Sequence, residues 1–349
     1  VSGSPCPEMA DALAEAKEWH FQEVSVMLLF RLLKEHARGR ASVFWRYMKT
    51  MPTSYPSMLS DKEEQRHCLA GTPAASHVER RFTRDEAFGR LMRGCHVALS
   101  QPVFEWAKLT MDTRAFSGTL PSGTRHANSS RKEWNAFVPF CDIFNDAIEP
   151  VASWSRDGKT GDFKVVASKF VRGGDEVTIS YGAKSNDKLL SSYGFVHPGN
   201  PRDEVVIHLE DGNSGTMPPS ISLSLGKLEP GYLRQAISRL QDVRMRLGHA
   251  RKSRSRQERE VQTLEVLRNR CDTAGRNWAW TVGGEGGAND WMCAGYRGGL
   301  VSIAKACADF AENAIAEIQG LPAKALEGSS GRLAGALLGV WQEDFRKIQ

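Results

Sequence analysis

Apolar positions recur along this chain in two rhythms, and the switch between them locates its organisation. From residue 8 to 36, Met9, Leu13, Ala16, Val24, Met27, Leu28, Phe30, Leu32 and Leu33 keep a helical spacing, and Gly39 supplies a stop. Residues 42–51 are aromatic-rich and end in the turn signal Met51-Pro52. Residues 61–115 are again mainly helical in pattern. They hold a helix end and turn at 68–72, and Pro102 marks a kink or a new helix start. A loop rich in Gly, Ser, Pro and Asn follows at 117–134.

The rhythm changes at Phe137. Residues 137–140 read as a short buried approach to a turn that carries Asp142 and Asn145 between apolar neighbours. The β-branched runs 164–168 and 176–180, joined by Arg172-Gly173-Gly174-Asp175, predict a strand–turn–strand pair. Tyr181-Gly182 ends the second strand, and Ser185 is placed to cap a helix starting near Asn186. Residues 204–209 look like a last strand, and DGNSGTMPPS at 211–220 like a linker. Beyond it the spacing is helical over about 230–248, 256–271, 290–319 and 329–348.

Composition narrows the partners more than the fold. A chain of 349 residues with 41% apolar content can build two domains with their own cores. A net charge of +5 permits an acidic partner without demanding one. The basic run 251–256 has no interleaved aromatics and meets Glu258 and Glu260 at once, so it reads as a solvated helix face or loop. A nucleic-acid-binding helical protein using that run is the competing reading. The Gly-rich 283–287 has neither a preceding strand nor a P-loop lysine and reads as a connector. Seven cysteines without a CxxC pair argue against a disulfide framework or a zinc cluster. They point to a reducing intracellular compartment: cytoplasm, nucleus or plastid. No apolar run reaches the length of a membrane span.

The central motifs, taken together, resemble the SET-domain methyltransferases, and within them the Rubisco large-subunit methyltransferase-like branch. The family's Asn-His turn corresponds to Asn145-Asp146, and its catalytic-tyrosine motif to Ile179-Ser180-Tyr181-Gly182. Its SND…YGF tail corresponds to Ser185-Asn186-Asp187 and Tyr193-Gly194-Phe195. The FWRYMKTMP segment resembles part of the family's helical insert, and Arg114-Ala115-Phe116 its Arg-x-Phe. The close match spans about 60 residues, with weaker likeness over roughly 13–210. The resemblance implies an α+β fold. A mixed β SET core over 1–210, with a helical insert at about 8–115, precedes an all-α substrate-binding domain over 221–349. It also implies that the glycine-rich GxG strand preceding the insert in the family has no counterpart here, and that Asp146 stands where the family has histidine.

The activity implied is protein-lysine N-methylation with S-adenosyl-L-methionine, on a non-histone protein, by a monomer that binds neither nucleic acid nor membrane. A catalytically impaired SET-like binding module and a protein-histidine methyltransferase are the alternatives. Methyl transfer to an amine is an in-line displacement, so alignment is the main task. The amine must also be neutral, although a free lysine has a pKa of about 10.4. An aromatic channel beside a sulfonium disfavours the ammonium, and oxygens around the methyl hold it by weak C–H···O contacts. Carried over by resemblance, Tyr181 is the catalytic hydroxyl and Tyr193 a wall of the lysine channel. Asn145 and the backbone of Asp146 fix the cofactor, Arg114 and Phe195 complete its pocket, and Asp142 and Phe116 face the substrate. Lysine enzymes of the branch share Arg-x-Phe, whereas the histidine enzyme carries asparagine in place of that phenylalanine. Phe116 therefore favours lysine, because it offers no partner for the second nitrogen of an imidazole.

Overall fold

The computed structural model describes residues 23–94, 100–119, 133–210, 218–250, 255–280 and 288–346. The readings made for 8–22, for most of the 117–134 loop, for 211–217, for 251–254 and for 283–287 lie outside them. The chain forms two compact units. One comprises the segments Val1–Arg66, Ser76–Gly182 and Ser191–Gly194, and the other His67–Ala75, Ala183–Leu190 and Phe195–Gln349. Small sheets followed by a helical region give the α+β class that the sequence predicts.

In the first unit the helix Glu23–Arg38 buries Val26, Leu29, Phe30 and Leu33, an i, i+3, i+4, i+7 stripe. That stripe packs against Met48, Met51, Phe88, Phe104, Ala107 and Met111. Gly39 ends the helix at φ 53°, where a side chain would be strained. Pro102 opens a helix rather than kinking one. It lies in the first turn of Gln101–Arg114, where its missing N–H costs nothing, and the helix ends on Arg114. Lys108 on this helix is buried, and its ammonium is matched by Asp85 at 3.1 Å and by Asp112.

The strands pair differently from the expectation. β1 (Phe116–Thr119) and β2 (Glu133–Ala136) are antiparallel, and β3 (Asn145–Asp146) lies parallel to β6 (Thr178–Ile179). β4 (Ala152–Arg156) takes β5 (Phe163–Ala167) as its antiparallel partner. The predicted pairing of 164–168 with 176–180 is therefore wrong, although the Arg172–Asp175 turn forms, with the Asp175 N–H donating to the Arg172 carbonyl at 3.1 Å. Aromatic contacts account for the choice: Trp154 of β4 stacks on Phe163 of β5 at 5.3 Å, and both meet Phe116 edge-on. The serines of β4 hide that strand from a hydrophobic count.

In the second unit β7 (Glu204–His208) pairs antiparallel with β8 (Ser220–Ser224), so 204–209 is not the last strand. Helices Pro230–Ser238, Leu240–Ala250, Arg256–Trp278, Ala288–Gln319 and Gly328–Arg346 follow. Ser255 and Glu258 form a reciprocal capping box at the start of the third. Buried Arg297 donates to the carbonyls of Cys68 at 2.8 Å and Ala70 at 2.7 Å, and to those of Asn277 and Trp278 at 3.4 Å. One guanidinium thus satisfies the last carbonyls of two helices. Arg244 grips Glu260 with two bonds of 2.5 and 2.6 Å, and Trp341 donates to the same carboxylate at 2.8 Å.

The helix Asn186–Tyr193 starts where predicted, but its first amide is capped from afar. The Ser185 hydroxyl turns to Asp187, and the Asp203 carboxylate accepts from the Asn186 amide at 2.6 Å and from its side chain at 2.9 Å. Burial pushes the Asp203 carboxyl up to about 6, above the roughly 3.9 of an unfolded aspartate. The folded state thus holds an extra proton between these values. The resulting stability is fully present below about pH 4 and lost as pH rises through 6. Urea midpoints measured across pH 4 to 7 should show this decline in the native protein and a flatter profile in Asp203→Asn. Parallel profiles would remove Asp203 as the source.

Candidate active site

The first unit brings most of the predicted residues together. The two-residue parallel ladder pairs Asn145 with Thr178 and Asp146 with Ile179, and the Ala147 amide donates to the Ile179 carbonyl at 3.1 Å. Tyr181 emerges just past β6. Its backbone N–H donates to the Asp146 carboxylate at 2.7 Å, and its hydroxyl donates to the Phe144 carbonyl at 2.8 Å. Both ends of the residue are thus tied to the β3 turn. The Tyr181 ring lies 4.9 Å from that of Tyr193 at 38°. Burial, then the nearby Asp146 charge, pushes the Tyr181 hydroxyl up to about 12. Burial and the neighbouring Tyr181 do the same for Tyr193. Both phenols are neutral at physiological pH.

Asp142 is placed by the turn before β3. Phe140, expected to be buried, is 78% exposed and left-handed at φ 68°. A non-glycine residue there stores about 1–3 kcal/mol of strain. The turn it makes carries the chain into the single 3-10 turn Cys141–Ile143, whose start is pinned by the Val138 carbonyl. The Asp142 carboxylate is consequently buried while Phe140 and Ile143 stay outside. Arg114 donates to the Asp142 carbonyl at 3.0 Å and to its Oδ2 at 3.2 Å, and the Tyr47 hydroxyl donates to the same Oδ2 at 2.8 Å. Burial and the adjacent carboxylate drive the Tyr47 hydroxyl well above the usual phenol range.

The other predicted residues are placed as follows. Asn145 is exposed, and its amide donates to Glu176 at 2.5 Å. Phe116 sits in the aromatic cluster with Trp154 and Phe163, and the Trp154 indole donates to the Ser180 carbonyl at 3.2 Å, one residue before Tyr181. Phe195 belongs to the second unit, where its ring meets His197 edge-on at 5.3 Å. Tyr47, Glu176 and the Phe144 carbonyl are participants that the sequence reading missed. For Tyr47 the available signal was its place in FWRYMKTMP, but its partner lies 95 residues away. Among the described residues, no group of His, Cys, Asp and Glu could hold a metal ion, and no helix is long and apolar enough to cross a membrane.

A half-buried tyrosine tied by its amide and its hydroxyl to the turn that carries Asn145 and Asp146, just past a two-residue parallel ladder, is the centre of this candidate site. Over 97% of this chain and 86% of the other, the fold matches the structure of Rubisco LSMT bound to AdoMet, with a TM-score of 0.56 and 18% identity. The SET domain of LSMT bound to lysine and AdoHcy matches over 90% of this chain and 82% of its own, again at 0.56 and 18%. The resemblance to SET-domain methyltransferases of the Rubisco LSMT-like type is thereby borne out, and the fold is theirs. No family model matches the chain. SET domain-containing protein 4 of Artemia parthenogenetica is 27% identical over 201 residues, 56% of this chain and 50% of the relative. Actin-histidine N-methyltransferase of Drosophila melanogaster is 25% identical over 213 residues, 54% of this chain and 39% of the relative. The chain thus spans half or less of the length of these curated relatives.

The Asp146 carboxylate is the acceptor that fixes the Tyr181 backbone, and this predicts an ordered pair of effects. Asp146→Ala should cost about 1–3 kcal/mol of unfolding free energy, because it leaves the amide unpaired. Asp146→Asn, which keeps an oxygen in place, should cost clearly less. Equal losses in urea titrations of the two variants would show that the carboxylate has another role.

Proposed function

We propose that this protein is an S-adenosyl-L-methionine-dependent protein-lysine N-methyltransferase acting on a non-histone protein. The observation that carries this reading is the Tyr181 hydroxyl. It is neutral, its proton is held by the Phe144 carbonyl, and its ring is packed against Tyr193. The surroundings fit a sulfonium cofactor. The charges of Asp146, Asp142 and Glu176, set against the single Arg114, act on Tyr181 alongside two aromatic faces, so a cation is welcome there. Asn145, the backbone of Asp146 and Tyr181 are assigned to hold it. S-adenosyl-L-methionine supplies an electrophilic methyl group on its sulfonium.

The chain's own residues then perform three tasks. Tyr193 and Tyr181 wall a channel in which burial disfavours an ammonium and so favours the neutral, nucleophilic amine. The Tyr181 oxygen accepts from amine N–H and methyl C–H groups, which aligns them along the displacement axis. Its raised pKa means that it orients without taking a proton; the amine loses that proton to solvent before transfer. Asp142, anchored by Arg114, is assigned to the substrate side of the site. The region from residue 221 onwards is assigned to recognition of the protein substrate.

Lysine is favoured over the histidine modified by the Drosophila relative because of what surrounds Phe116. Its ring is packed by Trp154 and Phe163, and the Trp154 indole N–H is already given to Ser180. An imidazole would leave its second nitrogen unpaired against this cluster, at about 1–3 kcal/mol, whereas the aliphatic stem of a lysine suits it. Tyr181→Phe should keep the circular dichroism of the native protein and lower turnover roughly 10²–10³-fold, the scale for removing one pre-aligned polar group. Mass spectrometry of proteins methylated by the enzyme should find modified lysine. Modified histidine with no modified lysine would sink the lysine assignment. Failure to bind S-adenosylmethionine in calorimetry would favour a catalytically impaired binding module.

A further inference from the structure

We propose that Arg81 is a positioning residue, whose guanidinium clamps the end of the helix Asn186–Tyr193 and so holds the Tyr193 ring against Tyr181 as a wall of the acceptor channel. The inference rests on the amine-methylation reading and adds to it a residue of the helix Pro73–Gly94. Arg81 donates through Nη1 to the Ser191 carbonyl, 110 residues away in the chain. Through Nη2 it donates to Gln65 Oε1 at 2.6 Å and to the Leu59 carbonyl at 3.5 Å. The guanidinium and all three partners belong to the first unit. Its central carbon also lies 5.3 Å from the centre of the Phe82 ring, a contact that steadies the fork.

What needs holding is the last turn of a short helix. The helix has only 8 residues, and its final carbonyls have no partner within it. The Ser191 carbonyl is one of these, and it lies two residues before Tyr193. A cation at that end also suits the helix dipole. Past Tyr193 the chain turns through Gly194 at φ 76°, where a Cβ would lie 3.0 Å from Leu59 Cγ. The end of the helix is thus seated on the Leu59 side chain, while Arg81 ties the Leu59 backbone to Ser191. The ring that this arrangement fixes has its centre 4.9 Å from that of Tyr181. A lysine at position 81 would supply a single point donor, whereas the guanidinium fork reaches separate acceptors at once.

The first measurement needs no catalysis. In the full chain labelled at its tyrosines, a nuclear Overhauser contact should join the rings of Tyr181 and Tyr193, and Arg81→Met should lose it. A merely structural role for Arg81 would lower the urea midpoint and leave that contact intact. The second measurement titrates free L-lysine calorimetrically into the chain saturated with S-adenosylhomocysteine. Arg81→Met should bind lysine roughly tenfold more weakly, with unchanged S-adenosylhomocysteine affinity. Arg81→Lys, which keeps the cation but not the fork, should be intermediate in both readouts, and it takes the place of Arg81→Met if that variant does not fold. In a Tyr193→Ala background the Arg81 change should have no further effect on lysine; additive losses would overturn the proposal. A ring contact absent from the native chain, or kept at native strength in the folded variant, would overturn it, as would wild-type lysine affinity in that variant. If the native chain binds S-adenosylhomocysteine but not lysine, or neither ligand, the lysine reading or the whole functional reading falls, and the ring contact alone decides whether Arg81 sets Tyr193.

Discussion

The site depends on one small piece of backbone, the parallel crossing of β3 and β6. Only two residue pairs make it, yet everything placed near the Tyr181 hydroxyl is referred to it. A parallel pair needs a crossover connection, and here the crossover contains the β4–β5 hairpin and the Arg172–Asp175 turn. The hairpin returns the chain beside its starting point, and Trp154 then ties it to Ser180. Two extra bonds compensate for the brevity of the ladder: the Asp146 carboxylate on the Tyr181 amide, and the Tyr181 hydroxyl on the Phe144 carbonyl. The ring is clamped from both ends, which matters for a group whose contribution is alignment.

Electrostatics near this crossing are arranged by burial more than by ion pairing. Two tyrosines are held neutral by desolvation and by the carboxylates around them, while Arg114 is committed to Asp142. In the proposed reading, a region that already holds one cation disfavours a second positive charge, and this is the condition under which an acceptor amine would give up its proton.

Much of this was legible in the sequence because the signals were local. Gly39 marked a helix end, and Pro102, readable as a kink or a helix start, proved to be a start; of the apolar positions read as the face of the first helix, Phe30, Leu32 and Leu33 are buried, whereas Met27 is exposed and the buried Val26 and Leu29 were passed over. Tyr181, Tyr193, Asp142 and Arg114 were singled out because they stand in a recognisable order, and the first unit pairs Tyr181 with Tyr193 and Arg114 with Asp142. What failed was non-local. The β-branched runs at 164–168 and 176–180 have the composition of a hairpin, but composition does not choose a strand's partner; the Trp154, Phe163 and Phe116 contacts do. Phe140 was assigned to the interior by its chemistry, whereas the turn it must make puts it outside. Tyr47 and Glu176 act through partners that no window of neighbouring residues contains.

Asp146 stands where the resemblance leads one to expect histidine, and its surroundings show what an aspartate does at that position. A histidine there would be a neutral or partly charged ring, able to pack but weak as an acceptor for a backbone amide. Aspartate offers a full negative charge at 2.7 Å from the Tyr181 N–H, a charge-assisted bond of the stronger kind. The same charge raises the Tyr181 pKa, so one side chain both fixes the residue and keeps its hydroxyl neutral. Because β3 and β6 share so few ladder bonds, this single contact supplies a large share of what orients the tyrosine. Aspartate at this position thus ties the β3 turn directly to the Tyr181 backbone.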